Sequence, residues 1–257
     1  MKAVRQLGNL LHFFARCLRY RVRTEDLQIK TLMKLNLGGA TVLDIGANKG
    51  IYCFFLGRAV GRNGKVIAFE PQPELRDHLE WLKSCLKWKN IEILNVALSE
   101  DNGSALLSRK KVGDGSASLE SDRRYSDGES IAVETMRLDD LRNRFSDLEF
   151  IKCDVEGHEQ SVFRGGEQTI RHHRPVVQFE GAPSDDVDQS VFKFFCSLGY
   201  SGVMMMGGKY LHYLNPDRVP HYKFGLGGHR DYLFFPPEAV GTIIPIEMFN
   251  SFPPPAP

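Results

Sequence analysis

From Thr41 onward the chain alternates between two hydrophobic periods, and this limits its possible folds more than any other feature. Thr41-Val-Leu-Asp-Ile45 is a short run rich in branched residues, followed at once by Gly46 and Gly50. Ile51 to Val60 then reads as a helix. Val66-Ile-Ala-Phe-Glu70 is a second buried run, stopped by Pro71 and Pro73, after which Leu75, Leu79, Leu82 and Leu86 recur at helical spacing. Ile91 to Val96, Leu148 to Asp154 and Pro175 to Glu180 repeat the strand signal. Strand and helix in alternation build a parallel sheet covered by helices on both faces. The expected fold class is therefore α/β, a Rossmann-like three-layer sandwich. Residues 101–130 interrupt the pattern with Gly, Ser and Asp, and predict a hairpin near Leu106, a mobile loop over Gly113 to Leu119, and a short strand over Ile131 to Met136. One helix is expected from about Glu156 to His172. Further strands are expected around Gly202–Met206, Tyr210–Leu214 and Asp231–Phe235.

Composition excludes several classes. A formal net charge of +1 gives no reason to expect a nucleic-acid partner. The five cysteines form no Cys-x-x-Cys pair, which argues against a zinc ribbon or a disulfide framework and makes a reducing cytoplasm the simplest compartment. No stretch has the length of a membrane span; Leu7 to Leu18 is short and interrupted by His12 and Arg16. Leu7, Leu11, Phe14 and Leu18 stand at helical spacing and predict a helix that packs on the main domain. A helix lying on a membrane through residues 5–23 is the alternative, against which the thin polar face counts. The reading divides the chain into an N-terminal helical extension (1–35), a catalytic α/β domain (36–236) and a proline-rich tail (237–257) that either docks on the domain or touches a partner. Oligomeric state is left open.

The loop Asp44-Ile-Gly-Ala-Asn-Lys-Gly50 lies where the first strand turns into the first helix, the place at which open α/β sheets bind ligands. Asp44, Gly46, Ala47, Asn48 and Gly50 are its candidate ligand residues, with Glu70 at the tip of the second strand suited to ribose hydroxyls. A dinucleotide site would carry a third glycine where Asn48 stands, and its pyrophosphate would be repelled by Asp44. A cationic nucleoside such as S-adenosylmethionine (SAM) would be attracted instead.

A second constellation, Lys152-Cys-Asp-Val-Glu-Gly-His-Glu159, ends the fourth core strand. Asp154 is expected at the mouth of the sheet and His158 in the first turn of a helix, where a neutral imidazole could accept a proton from a hydroxyl or merely sit exposed. Asp154 or Glu156 could cap that helix. Asp154, Glu156 and His158 lack an evident fourth ligand, so no metal is assigned. Glu180, ending the fifth strand, is a further candidate base.

Taken together, Val42-Leu-Asp-Ile-Gly-Ala-Asn-Lys-Gly50, Ala68-Phe-Glu-Pro-Gln-Pro73, Asn95-Val-Ala-Leu-Ser-Glu-Asp-Asn-Gly103, Leu138-Asp-Asp-Leu141 and Ile151-Lys-Cys-Asp-Val-Glu-Gly-His-Glu159 resemble the FkbM-type methyltransferase family in its own order. The resemblance spans about residues 40–182. It implies a class I methyltransferase fold with a seven-stranded sheet whose last strand is antiparallel, SAM as cofactor, and usually methylation of a hydroxyl on a sugar or secondary metabolite. Carried over, it places Asp44, Gly46 and Asn48 at the methionine end of SAM, Glu70 at the ribose, Ala97 and Ser118 near the adenine, and Asp154 by the transferred methyl group. Cys53 stands where the family often has Ser or Thr, Ser84 where it often has Asn, and Cys153 where it usually has Ile or Leu. The acceptor is expected to be chosen by residues 1–35 and 185–257, with His221, Tyr222, His229 and the Gly225–Gly228 loop either lining its pocket or forming a surface turn. Two rival readings are an NAD-dependent oxidoreductase and a SAM-binding module without catalysis.

Overall fold

The computed structural model describes residues 2–120, 127–181, 185–214 and 230–253. Its centre is an eight-stranded sheet. β1 (Thr41–Ile45), β2 (Lys65–Phe69), β3 (Ile91–Leu94), β7 (Leu148–Cys153) and β8 (Val176–Gly181) run parallel, in the spatial order β3-β2-β1-β7-β8. β11 (Arg230–Phe235) inserts antiparallel between β8 and β9 (Ser201–Met206). The expected seven strands with an antiparallel last strand are thus present. An eighth, β10 (Lys209–Leu214), folds back on β9 through Gly207 and Gly208, both at positive φ, and forms the sheet edge. The class I methyltransferase architecture therefore stands, with one hairpin added.

The interrupted segment folds as a small second sheet of β4 (Ala97–Leu98), β6 (Glu129–Met136) and β5 (Gly103–Arg109). The Gly/Ser loop after β5 is pinned. Asp114 accepts the Lys110 and Ser116 backbone N–H groups, its carbonyl accepts from Gln72 Nε2 at 3.0 Å, and Ser108 bridges Ser118.

Helices cover both faces. α3 (Ile51–Val60), α4 (Pro73–Leu86) and the N-terminal α1 (Lys2–Arg19) and α2 (Asp26–Leu32), which flank a π-helical turn at Tyr20–Thr24, lie on one side. α5 (Glu159–Gly165), α6 (Glu167–His173) and α7 (Asp185–Ser197) lie on the other. The single helix expected over Glu156–His172 is two. At Gly165 an added Cβ would lie 2.0 Å from the Ser99 carbonyl oxygen, so the backbone itself packs there and the helix restarts at Glu167.

The tail docks. Ile244, Met248 and Phe252 are buried in the same cluster as Phe13, Ile29 and α3, and Asn36 N–H donates to the Ile243 carbonyl at 2.8 Å. The last turn, α8 (Ile246–Phe249), carries Phe249 against Phe252, whose ring also meets Tyr210 and Phe235. No helix among the described residues is long and apolar enough to cross a membrane.

The N-terminal helix corrects the sequence reading. Its buried residues are Phe13 and Cys17, while Leu7, Leu11, Phe14 and Leu18, predicted to face the domain, are exposed. Periodicity showed that an apolar stripe exists. It could not show that α1 carries two adjacent stripes and docks with the other one.

Candidate functional site

Residues two apart on a strand share a face. Val42, Phe150 and Val176 belong to the cluster beneath α3, so Asp44, Lys152 and Gln178, each two positions further along, point to that face. They stand side by side, Asp44 against Lys152 and Lys152 against Gln178. Glu180 continues the row, and antiparallel β11 begins at the same edge, with Asp231 opposite Glu180. The sheet is hydrophobic through its middle and polar at this one edge on this one face.

Like charges directly opposite each other are unfavourable, and Lys152 relieves them. Its ammonium is buried, 3.4 Å from Asp154 Oδ2 and 4.9 Å from the centre of the Tyr52 ring. Burial alone would lower its pKa; Asp154, Asp231, Glu25 and Glu180 around it raise it above the ordinary lysine range. The N-terminal extension closes the row from above. The Tyr52 hydroxyl donates to Glu25 and accepts from Gln178 Nε2 at 3.0 Å, and Gln28 Nε2 donates to Asp231 Oδ2 at 2.5 Å.

Three connected clefts meet at this edge. The nucleoside cleft, at the tip of β2, lies between Glu70, Gln72, Val96, Ala97, Leu107 and Leu119. An inner pocket is bounded by Asp44, Ala47, Lys49, Tyr52 and, from α1, Arg16. A broad cleft opens between Tyr20–Gln28, Glu180, Met205–Gly208 and Asp231. Asn48 and Asp154 border all three.

Local geometry explains the motifs. Gly46 has φ +81°, and a Cβ there would lie 1.9 Å from the Asp154 carbonyl oxygen, so only glycine lets the two loops meet. The turn after β7 carries Glu156 and Gly157 at φ +54° and +101°. Glu159 holds it by accepting the Val155 and Gly157 N–H groups at 3.0 and 3.4 Å. Glu70 accepts the Asn48 and Gln72 N–H groups at 2.8 and 2.9 Å, one on each carboxylate oxygen, and this fixes the side chain at the cleft. Cys53 donates its thiol to Asp44 Oδ2 at 3.0 Å. Burial pushes Asp44 up to about 6 and Glu70 up to about 7, against which the Cys53 thiol and the backbone N–H groups work. Glu25 rises to about 7 by burial, with Lys152 opposing. Glu180 is raised by burial and by Asp154 beside it.

Most of the residues expected in the site line these clefts: Asp44, Gly46, Ala47, Asn48, Glu70, Ala97, Asp154 and Glu180. Three expected residues stand differently. Gly50 borders none of these clefts; its positive φ starts α3, and a Cβ there would press on Leu79 at 2.7 Å. Ser118 is fully buried with its hydroxyl donated to the Glu156 carbonyl at 2.8 Å, and its neighbours Ala117 and Leu119 form the wall. His158 faces the nucleoside cleft rather than the broad one, and both its ring nitrogens are engaged, by Glu120 at 2.6 Å and Ser99 at 3.0 Å. His158 is also the N-cap of α5, without a side-chain cap bond, so neither Asp154 nor Glu156 caps that helix.

Sequence reasoning missed Arg16, Tyr20, Glu25, Lys152 and Asp231. Lys152 had a signal, since a lysine inside the run Phe150-Ile-Lys-Cys153 needs a buried partner. The others reach the site only through tertiary packing. His221, Tyr222, His229 and Gly225–Gly228 lie outside the described residues. Among those described, no three His, Cys, Asp or Glu side chains are arranged to hold a metal ion.

The residues fit a SAM-type ligand. Asn48 Oδ1 is buried without a hydrogen-bond partner at the junction of the clefts, and carboxylates flank it where a cationic donor would lie. Comparison agrees. The family model described as Methyltransferase FkbM domain matches residues 44–201, more than half of the chain. No curated protein matches. Among solved structures, the methyltransferase FkbM from Methylobacillus flagellatus KT is similar at 17% identity and TM-score 0.51, over 78% of this chain and 45% of that one. The chain thus spans less than half of that relative. A Streptococcus mutans protein assigned as a methyltransferase and crystallised with SAH aligns at TM-score 0.50 and 9% identity, over 83% of this chain and 97% of its own. A Clostridium thermocellum protein assigned as an rRNA methylase aligns at TM-score 0.51 and 8% identity, over 81% of this chain and 92% of its own.

Proposed function

We propose that this chain, which belongs to the FkbM methyltransferase family and uses SAM as its cofactor, methylates a hydroxyl group on a glycan or secondary metabolite. The observation that carries the reading is the junction of the clefts: the nucleoside cleft and the broad carboxylate-lined cleft share Asn48, Asp154 and Glu156. Two reactants held in those clefts would meet at Asp154. When bound, SAM supplies an electrophilic methyl group on a cationic sulfur. Glu70 would hold the ribose hydroxyls, Ala97 and Leu119 the base, and Asp44 and Asn48 the ammonium. Arg16 and Lys49 in the inner pocket match the α-carboxylate in charge.

In the broad cleft Glu180, Asp231 and Glu156 offer carboxyl oxygens to a hydroxyl-rich molecule. Glu180 is the proposed base. Burial and Asp154 raise its pKa to about 9, so it takes the acceptor's proton only once Lys152 and a bound cationic donor favour its ionised form. Lys152 opposes that rise by balancing the charge of the row. Most of the acceleration comes from alignment of the two partners. The dinucleotide alternative loses support because Asp44 and Asp154 flank the place where a pyrophosphate would rest.

The test is transfer of labelled methyl from SAM to a panel of glycans and hydroxylated small molecules, with Glu180→Gln as control. Hydroxyl methylation that falls in the variant at unchanged SAM affinity supports the reading. Methylation of amines or RNA, or an unaffected variant, overturns it.

A further inference from the structure

The exposed stripe of α1 is not used by the catalytic reading. Leu7, Leu11 and Leu18 are 59%, 62% and 62% exposed, and Phe14 is 41% exposed. At about 100° per residue these four fall within an arc of about 60°. The neighbouring arc, with Phe13 and Cys17, is buried, and Phe13 and Phe14 both meet the Phe54 ring edge-on at 6.0 and 5.8 Å. The exposed stripe is therefore held in a fixed orientation on the domain. Val22 extends it, 54% exposed. A contiguous apolar ridge of this kind on a soluble surface marks an interaction site.

Charge selects the partner. Residues 1–24 contain Lys2, Arg5, Arg16, Arg19, Arg21 and Arg23 and no Asp or Glu, so all 32 acidic residues of the chain lie beyond Thr24. Arg19, Arg21 and Arg23 are exposed beside the ridge. An apolar ridge fringed by cations alone matches a bilayer surface rich in anionic headgroups. We propose that α1 and the turn after it dock the protein on an anionic lipid surface, lying in its plane. Val22 also lines the broad cleft, with Tyr20 and Arg23. If that cleft is the acceptor site, which rests on the function proposed above, docking sets its mouth against the lipid, and the acceptor class becomes a hydroxyl carried on a membrane-borne molecule.

Flotation of the full chain with phosphatidylcholine vesicles, with and without phosphatidylglycerol, tests this without any activity measurement. The expected result is co-flotation with the anionic vesicles only, weakened by salt. Leu11→Ser/Leu18→Ser and Arg19→Glu/Arg21→Glu should each lower partitioning about tenfold or more, with melting temperature and SAM affinity unchanged. The arginine pair is wholly on the surface and keeps the test valid if the leucine pair disturbs folding. Failure to float with anionic vesicles, equal flotation with neutral ones, or a dimer in sedimentation equilibrium that the leucine variants dissolve would overturn the proposal. Failure of the hydroxyl-transfer assay would leave it standing.

Discussion

The nucleoside cleft and the broad cleft meet at Asp154 but are built differently. The first is assembled from the ends of β1, β2, β3, β5 and β7 and the loops after them, all inside residues 44–158, with apolar walls and Glu70 fixed by backbone N–H groups. The second joins Tyr20–Gln28, Glu180, Met205–Gly208 and Asp231, segments far apart in the chain, and most of its wall lies outside the residues matched by the family. The difference teaches where variation is affordable in such a protein. A cleft made of strand-end loops has a local sequence signature. A cleft made of distant segments can change its lining without disturbing the first.

That division is broken most severely by Gly46→Val, at the seam of the two clefts. With a Cβ 1.9 Å from the Asp154 carbonyl, the loops must part. Calorimetry should show SAM affinity lost by about 100-fold or more, and a variant that binds normally would refute the seam. Glu180→Gln should come next, lowering kcat by about 100-fold or more while SAM affinity is kept. A matching loss of affinity would mean the clefts are not separable.

Lys152→Met removes the cation that balances Glu25, Asp154, Glu180 and Asp231. Leaving buried charges uncompensated costs about 3–5 kcal/mol, measurable by denaturant unfolding, and the loss should shrink as acidic pH protonates the carboxyls.

The pH dependence sharpens the cofactor side. Asp44 and Glu70 are raised from 3.8 and 4.5 to about 6 and about 7. Each binds its proton more tightly folded than unfolded. Without ligand they therefore favour the fold at low pH, and this contribution is lost as pH rises through that window. The ligand's ammonium favours ionised Asp44 and its ribose hydroxyls donate best to ionised Glu70, so SAM affinity should increase as pH rises through about 6 and about 7. In Asp44→Asn the lower inflection should vanish from a titration series.

His158→Ala should have the smallest effect, a change of a few-fold in SAM affinity with kcat held within about twofold, since its ring nitrogens are occupied by Glu120 and Ser99. A large fall in kcat alone would return the base to His158.

Asp44, Gly46, Glu70 and Asp154 were legible in the sequence because strand-end chemistry is local. A carboxylate after a branched apolar run, or a glycine at a strand-to-helix turn, has the same meaning wherever that unit sits in the fold. Alternating periods likewise fixed the order of strands and helices. Ser118 and Gly50 stay behind the cleft walls because which side of a loop faces a cleft depends on what packs behind it. Asp231 reached the site only because β11 runs antiparallel and so starts at the edge where the others end. Glu25 and Arg16 arrived because α1 docks with Phe13 and Cys17 rather than with its leucines. Sequence by itself determined which residues meet at the strand ends, since periodicity and turn chemistry act over a few residues. Tertiary structure alone decided the broad cleft and the exposed face of α1, because both depend on how distant segments pack and which of several equally apolar surfaces the rest of the chain covers.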